Sequence, residues 1–372
     1  MKILYLASDP VPSPKGASVR ILRTIDTMRA LGHDVERFAP TPNPETPFLE
    51  RMMGLRQEAE RWLEGRRADL VQFRGIWEGL PALAWAKRAG AKAVYEAHGF
   101  PSIELAYHYP DLSSHDVLLR KIIAEEQALL GAVDRLVTPS KAGARFLLMR
   151  GARPERIDVV PNAVDPELFS PAPEPPPDAP PYRLVYEGTL SPWQGLETLL
   201  EALARLKGRP VELHVVGPLK SAWRDEIRSR ARRLRVHHEL HLSGSMEQRD
   251  LVPVLRTAHV CLAPLPSDPR NAVQGCCPIK LLEYMGAGRP ILATAIPPVE
   301  EILEHAKTAW LVPPGSPAEL ADGIVWMLEH PAEREALGRA ARAEAVASWT
   351  PDRFRDRLAE ALQRLEVRPR TP

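Results

Sequence analysis

Cysteine and long apolar runs are scarce in this sequence, and each scarcity excludes a class of protein. The 372 residues include only Cys261, Cys276 and Cys277, which are too few for a disulfide framework and lack the Cys-x2-Cys spacing of a zinc site. No stretch reaches the ~18 consecutive apolar residues of a membrane-spanning helix. Residues 1–12 lack the length and the small-residue cleavage site of a signal peptide. From the sequence we therefore expect a cytoplasmic protein.

A surplus of either charge is also missing. The 49 Lys and Arg nearly balance 48 Asp and Glu, which gives a net charge of +1. Nucleic-acid binding normally needs a strong basic surplus, so no nucleic-acid partner is expected. Asparagine occurs three times, and 39 Arg stand against 10 Lys. Scarce thermolabile amides are typical of thermophiles, but a GC-rich genome gives the same Arg bias, and the sequence leaves both interpretations open.

Short apolar segments alternate with longer amphipathic ones in the first half of the chain. Residues 18–31 carry apolar side chains about every three positions, which is typical of a helix. The predicted strands of this half are Lys2–Ala7, Val35–Ala39, Leu70–Arg74, Ala93–Ala97, Arg135–Thr138 and Asp158–Pro161. The alternation predicts βαβ units and a parallel sheet.

A proline-rich segment separates the two halves. Residues 166–181 contain eight prolines, which remove amide donors and stiffen the backbone. We therefore expect neither helix nor strand there, and we predict a first domain over 1–168 and a second over 169–350.

The second half repeats the same rhythm. Its predicted strands are Leu184–Glu187, Leu213–Val216, His241–Ser243, Val260–Ala263 and Pro290–Ala293. Gly188, Gly217 and Gly244 each follow one of these strands directly. A single glycine after a strand merely permits a tight turn, but three in corresponding positions favour turns that approach a ligand at the carboxyl edge of the sheet.

The strongest local signal lies in residues 276–289. Pro278 suits the first position of a helix, because its missing N–H would have no partner there. Free N–H groups at a helix start attract anions, and Lys280 adds a positive charge in the same turn. Glu283 follows on the same helix face. A lysine for phosphate and a carboxylate for ribose would suit a nucleoside diphosphate, although an exposed Lys/Glu pair on an ordinary helix is the alternative.

This segment resembles the donor-binding element of the retaining glycosyltransferases of family 4, which have the GT-B fold. In that family a helical glutamate precedes a Gly-containing turn and a Pro-led strand, matched here by Glu283, Gly286, Gly288 and Pro290. Other segments match in the same order along the chain: Pro14-Lys15-Gly16, 31–35, 160–165, 300–302 and 311–315. The resemblance runs through nearly the whole chain.

The resemblance implies an α/β protein with two Rossmann-like domains facing a central cleft. The first would bind the acceptor and be completed by a C-terminal helix over 351–372, and the second would bind the nucleotide sugar. The implied reaction moves a sugar from a nucleotide-sugar donor to a glycan, lipid-linked or small-molecule acceptor, with retention and without cofactor or metal. Lipid-linked acceptors would bring peripheral membrane contact. The six arginines of 224–235 could meet anionic lipid, although a solvated helix face is the favoured interpretation.

The resemblance also implies site residues. Those expected to bind the donor are Gly16, Gly188, Thr189, Gln194, Gly217, Lys280 and Glu283. Lys280 and His98 are expected to act in catalysis, with His98 near the reacting sugar or, alternatively, capping a backbone group. Lys15 and Arg20 are expected to contact the acceptor. No metal ligand is expected.

Three positions depart from the family pattern. The first of two family glutamates would fall at Gly275, and the diphosphate-binding Arg and Lys are replaced by Thr189 and Gln194. Lys280 could replace one of these charges while Gln194 bonds a phosphate oxygen, or the pyrophosphate site is crippled. The alternatives are therefore a catalytically silent nucleotide-sugar-binding scaffold and a sugar-nucleotide epimerase. A nicotinamide dehydrogenase is not expected, because no Gly-x-Gly-x-x-Gly follows the first strand.

Overall fold

The computed structural model describes residues 1–13, 15–40, 43, 45–218 and 221–365. These form two compact units: unit 1 contains 1–161, 273–276 and the chain from 354, and unit 2 contains 162–272 and 277–353. The division after Pro161 lies upstream of the boundary predicted after residue 168, so the proline-rich segment belongs to unit 2. As predicted, that segment forms neither helix nor strand. Residues 366–372 of the predicted C-terminal helix lie outside the described residues.

The strands of unit 1 are β1 (Lys2–Leu6), β2 (Asp34–Phe38), β3 (Leu70–Phe73), β4 (Lys92–Glu96), β5 (Arg135–Thr138) and β6 (Ile157–Val159). They pair in parallel in the order β2-β1-β3-β4-β5-β6, which confirms the parallel sheet predicted from the sequence. The helices are α1 (Gly16–Ala30), α2 (Phe48–Leu63), α3 (Ile76–Ala89), α4 (Pro101–His108), α5 (Pro110–Ser113), α6 (Asp116–Ala132) and α7 (Lys141–Met149).

The strands of unit 2 are β7 (Tyr182–Glu187), β8 (Val211–Val216), β9 (Leu240–Ser243), β10 (Val260–Ala263), β11 (Ile291–Thr294) and β12 (Trp310–Val312). They form a second parallel sheet in the order β12-β11-β10-β7-β8-β9. Five of these strands were predicted. Sequence reasoning missed β12, because three residues are too short to show a strand pattern. The helices of unit 2 are α8 (Leu196–Arg205), α9 (Ser221–Leu234), α10 (Gln248–Arg256), α11 (Ile279–Gly286), α12 (Pro297–Glu300), α13 (Pro317–Glu329) and α14 (Pro331–Ser348). The last helix, α15 (Pro351–Gln363), belongs to unit 1 from Phe354 onward.

Helices on both faces bury the central strands completely. In β1, the side chains from Ile3 to Leu6 are all 0% exposed, as expected for a parallel strand covered on both sides. The core of unit 2 forms two clusters, one containing Leu281 of α11 and the other Leu199 of α8. In the part of the chain that the structure describes, no helix is both long and apolar enough to cross a membrane.

The two sheets have different strand orders within the same α/β class. In unit 1 the order reverses at β1 and β3, as in flavodoxin-like sheets, whereas in unit 2 it reverses at β7 and β10, as in Rossmann sheets. Ligands of open α/β sheets bind outside the carboxyl ends of the strands at such a reversal. The carboxyl ends of these four strands are therefore the first places to look for functional side chains.

Candidate functional site

The boundaries of α11 depart slightly from the sequence prediction. Pro278 precedes the helix as its N-cap residue, with φ −64° and ψ 111°, instead of occupying the first helical position. A proline there still leaves no N–H unpaired. The predicted stop is confirmed, because α11 ends at Gly286 and Gly288 adopts φ +65°, in the left-handed region that favours glycine.

Lys280 lies in the first turn of α11 and is only 6% exposed. Its Nζ donates to Gln194 Oε1 at 2.7 Å and to the Tyr186 hydroxyl at 3.2 Å. The ammonium also lies 4.2 Å from the centre of the Tyr186 ring. The sequence pairs Gln194 and Lys280 as replacements for lost family charges, and the structure brings these two side chains into direct contact.

Two predicted glycines leave bare backbone after β7 and β8, and the first of them lies beside Lys280. Gly188 follows β7 with φ +139°, and a Cβ there would lie 2.5 Å from Lys280 Nζ. Gly217 follows β8 with φ +155°, and its Cβ would lie 2.0 Å from the Gly188 carbonyl oxygen. The predicted Thr189 follows Gly188, and its carbonyl oxygen accepts a hydrogen bond from the Tyr186 hydroxyl at 3.3 Å. The predicted donor residues of β7 and α11 therefore lie together at the carboxyl end of β7.

Glu283, one turn after Lys280, is 4% exposed and accepts a hydrogen bond from Gln248 Nε2 at 2.6 Å. Glu187, the last residue of β7, lies beside this carboxyl group. Burial raises the pKa of Glu187, and the nearby Lys280 and Glu283 offset this only in part. Sequence reasoning missed Glu187 and Gln248, although the position of Glu187 directly before Gly188 was a usable signal.

Unit 1 contains a second polar cluster, centred on Glu96 at the end of β4. The Glu96 carboxylate is fully buried and accepts hydrogen bonds from Tyr5 Oη (2.7 Å), Gln72 Nε2 (2.9 Å) and Arg20 Nε (2.9 Å). Burial alone would raise the pKa of Glu96, but Arg20 and Arg74 hold it well below its usual range. The Glu96 side chain is therefore an ionised carboxylate inside the unit.

His98, the predicted catalytic histidine, lies beside this carboxylate. Its side chain is 18% exposed, and its Nε2 is 3.0 Å from Glu96 Oε1. Burial and then the charge of Arg74 lower the pKa of His98 to about 4, so the imidazole is neutral at pH 7. Because Nε2 faces a carboxylate, the single ring proton belongs on Nε2, which leaves Nδ1 as an acceptor. His98 can thus accept a hydrogen bond from a hydroxyl group, but it cannot supply positive charge.

Arg20 is predicted to contact the acceptor, yet its guanidinium is 2% exposed. Besides the contact with Glu96, Nη1 donates to the carbonyl oxygens of Val160 at 2.8 Å and Pro161 at 3.1 Å. The Phe354 ring lies 4.7 Å from the guanidinium carbon. These contacts tie α1 to the chain after β6 and to α15, and they place Arg20 in the interior of unit 1, where an acceptor has no direct access.

Lys15 and Gly16, which belong to the family-like segment Pro14-Lys15-Gly16, are both exposed. Lys15 is the N-cap residue of α1, and Gly16 opens the helix. Pro14, the first residue of the predicted loop, lies outside the described residues. The sequence prediction therefore places three neighbouring residues in one loop, and the structure describes two of them at the solvent-accessible start of a helix.

Gly275 occupies the position of the missing family glutamate. It has φ +79°, and a Cβ there would lie 2.6 Å from the backbone nitrogen of Gly143, which cannot move aside as a flexible side chain could. The preceding residue, Gln274, is 4% exposed, and its Oε1 accepts a hydrogen bond from the Phe100 N–H at 3.0 Å. The packing of this segment within unit 1 therefore excludes a glutamate at 275.

Two family models match the chain. Residues 14–168 match the model described as Glycosyltransferase Family 4, and residues 172–344 match the model described as Glycosyl transferases group 1. The putative colanic acid biosynthesis glycosyltransferase WcaL of Escherichia coli is 27% identical over 226 residues, which are 60% of this chain and 54% of that protein. In this match the chain spans about half the length of its curated relative.

Solved structures share the fold over nearly the full length. Sucrose-phosphate synthase from Thermosynechococcus elongatus matches with a TM-score of 0.84 and 17% identity, covering 98% of both chains. HepE of Anabaena, in complex with UDP and glucose, matches with a TM-score of 0.76 and 19% identity, covering 98% of this chain and 99% of HepE. The two parallel sheets have the predicted GT-B fold. With family matches along most of its length, the chain belongs to the group 1 glycosyl transferases of glycosyltransferase family 4.

Proposed function

We propose that this protein is a retaining, metal-independent glycosyltransferase that uses a nucleotide-sugar donor, with the donor diphosphate bound beside Lys280. The observation that carries the proposal is the buried Lys280 ammonium at the start of α11, next to the bare backbone of Gly188. This group lies at the carboxyl end of β7, where the strand order of unit 2 reverses. Open α/β sheets bind ligands at that edge, and a helix start with a lysine favours an anion.

Cleavage of the bond between sugar and diphosphate leaves negative charge on the phosphate oxygens. A fixed cation in a poorly solvated site stabilises such developing charge strongly and without reorganisation. Gln194 holds Lys280 in place through the 2.7 Å hydrogen bond and has a second polar atom that can donate to a phosphate oxygen. In this proposal Lys280 and the α11 backbone stabilise the leaving group, so no metal ion is needed for that step.

The carboxyl pair of Glu187 and Glu283 suits the ribose of the donor. Hydroxyl groups of a ribose donate to carboxylate oxygens, and Glu283 lies one turn along α11 from the proposed phosphate site. Since the structural relative HepE binds UDP, uridine diphosphate and its sugars are the first nucleotides to test.

For the acceptor we propose a glycan or lipid-linked sugar that binds to unit 1. The neutral His98 offers Nδ1 to a sugar hydroxyl, and the exposed Lys15 offers a charge for an anionic acceptor. A lipid-linked acceptor would bring this protein to a membrane surface. Retention of the anomeric configuration is checked directly on the product by NMR.

The test is a thermal-shift panel of nucleoside diphosphates and nucleotide sugars on wild type and Glu283→Ala. Ligand at about a hundred times its Kd should add ~2.7 kcal/mol, which raises the Tm by several degrees. The matched control is Glu329→Ala, which removes a 54% exposed glutamate of the same unit. A shift that survives in the control and is lost in Glu283→Ala supports the donor site.

Other outcomes separate the alternatives. A well-folded wild type that responds to no nucleotide contradicts the donor site. A nucleotide sugar that binds but is neither hydrolysed nor transferred favours a silent scaffold, and release of an isomerised free sugar favours an epimerase.

A further inference from the structure

A glutamate and two histidines lie side by side on the sheet of unit 2. Glu212 and His214 are two positions apart on β8, so their side chains share one face of the sheet. The parallel register sets His241 of β9 directly beside His214. One ligand atom from each of the three residues can be chosen so that all lie within 4.8 Å of one another.

The geometry of the three side chains is close to that of a metal site. The His214 and His241 rings stack with centres 4.6 Å apart and planes 20° apart, and His214 Nε2 lies 3.3 Å from Glu212 Oε2. Zinc held at about 2.0–2.1 Å by tetrahedral ligands places the ligand atoms about 3.4 Å from one another. Small side-chain rotations, which move the ligand atoms by about 1 Å, would therefore close the set around one ion.

The backbone and the exposure of these residues also suit an ion. Ladder hydrogen bonds hold β8 between β7 and β9, so the three ligands stand on a rigid frame. Glu212 is 31% exposed, His214 is 22% exposed and His241 is exposed, which gives an ion access from solvent. Two imidazoles and a carboxylate form a donor set that first-row divalent metals, zinc above all, prefer.

We propose that Glu212, His214 and His241 bind one Zn²⁺ ion, with water completing its coordination. The ion would join β9, the edge strand that pairs only with β8 in this sheet, to its neighbour and so stabilise the edge. It would have no part in sugar transfer, because His214 lies three positions before Gly217, about 10 Å along the strand. Zinc binding at this site is therefore compatible with a sugar transfer that uses no metal.

Arg183 allows a test of whether the bound ligand is a cation. It pairs in register with Glu212 from the neighbouring strand β7. A positive side chain beside the cluster opposes a bound cation, so Arg183→Gln should tighten zinc binding. A merely structural stack of imidazoles would show no such response to zinc.

The test uses full-length protein without a histidine tag, stripped of metal and titrated with Zn²⁺ by calorimetry and with Co²⁺ by visible absorption. Wild type should bind one ion per chain. The His241→Ala variant should bind at least ~100-fold more weakly, since even outer-shell changes cost ~10–100-fold. The exposed position of His241 makes this variant safe for folding.

The control is His238→Ala, which removes another exposed histidine of unit 2 that stacks on His237. It should leave zinc affinity unchanged. The proposal is overturned if wild type binds zinc no more tightly than His241→Ala, or if His238→Ala weakens binding as much. The nucleotide-induced thermal shift should be the same in wild type and His241→Ala, which keeps this result separate from the fate of the donor site.

Discussion

Each unit buries a cation near the carboxyl end of its sheet, and the two cations have different partners. Arg20 of unit 1 meets the ionised carboxylate of Glu96 and two backbone carbonyl oxygens. Lys280 of unit 2 donates to the neutral side chains of Gln194 and Tyr186. Arg20 is therefore held by a carboxylate at hydrogen-bonding distance. Lys280 is oriented by two neutral acceptors, and its charge also lowers the pKa of the nearby Glu187 carboxyl group.

The carboxyl groups of unit 2 strengthen this contrast. Burial raises the pKa of the Glu187 carboxyl group, and the nearby Lys280 and Glu283 offset this only in part. In unit 1 the pKa of Glu96 is instead held low, because Arg20 and Arg74 overcome the effect of burial. We propose that Arg20 holds unit 1 together, whereas Lys280 acts on the donor diphosphate in unit 2.

The largest expected effect comes from breaking the ion pair of unit 1. Arg20→Gln removes the guanidinium that contacts the buried Glu96 carboxylate and leaves Arg74 as the remaining nearby cation, which should lower the free energy of unfolding by about 3 kcal/mol. Urea unfolding at pH 7 measures it. The control is Arg29→Gln, whose pair with Asp26 is 54% and 70% exposed and should contribute about 0–1 kcal/mol. Equal losses in both variants would contradict a structural role for Arg20.

Removing the cation of unit 2 should instead affect turnover. Lys280→Gln takes away the charge proposed to stabilise the leaving diphosphate, so release of nucleoside diphosphate from the donor should slow by ~10²–10³. Steady-state assays with the donor found in the thermal-shift panel measure this loss. Lys307→Gln, which removes a 68% exposed lysine paired with Glu304, is the control and should keep full activity. An unchanged rate in Lys280→Gln would show that the two buried cations do not differ in function.

A second buried glutamate of unit 1 sharpens the comparison with Glu96. Glu78 is fully buried, its Oε1 accepts from the Gly75 N–H at 2.8 Å, and burial raises its pKa from 4.5 to about 7. Because the folded state favours protonated Glu78, the contribution of this group to the free energy of unfolding is complete below pH 4.5 and is lost as the pH rises through 7. The effect of Glu96 has the opposite sign, because its lowered pKa stabilises the fold above the usual range of a carboxyl group and is lost as the pH falls.

The measurement is the free energy of unfolding from pH 5 to pH 8. Wild type should lose about 3 kcal/mol over this range through Glu78, and Glu78→Gln should remove that slope. Glu60→Gln, a change at an exposed glutamate of α2, should retain it. A slope that persists in Glu78→Gln would assign the pH dependence to another group.

The strands and the glycines after them could be predicted from the sequence, because apolar runs and turn residues are local signals. The role of Arg20 could not, since its partner Glu96 lies 76 residues away and only the fold brings them together. The family resemblance marked Lys280 and Gln194 separately as donor residues, but their direct contact, which spans 86 residues, was not predicted. Sequence reasoning also missed that Glu187 lies beside Glu283, because the two residues are far apart in the chain.

The smallest expected effect tests whether bare backbone beside Lys280 matters. Gly188→Ala forces a side chain onto a residue with φ +139° and places its Cβ 2.5 Å from Lys280 Nζ. The backbone strain should cost about 1–3 kcal/mol of unfolding free energy. Because Nζ is the end of a flexible chain, Lys280 should shift while the fold persists, and UDP affinity should fall.

Gly208→Ala is the control that separates backbone strain from displacement of the Lys280 side chain. Gly208 also has a left-handed backbone, with φ +84°, but a Cβ there would meet nothing within 4 Å. Both variants should therefore lose stability by denaturant unfolding, and only Gly188→Ala should weaken UDP binding by calorimetry. If Gly208→Ala weakens UDP binding equally, the loss comes from general destabilisation. If neither variant weakens UDP binding, the backbone at residue 188 does not face the donor. The proposed donor site would then depend on the Lys280 side chain without the bare backbone beside it.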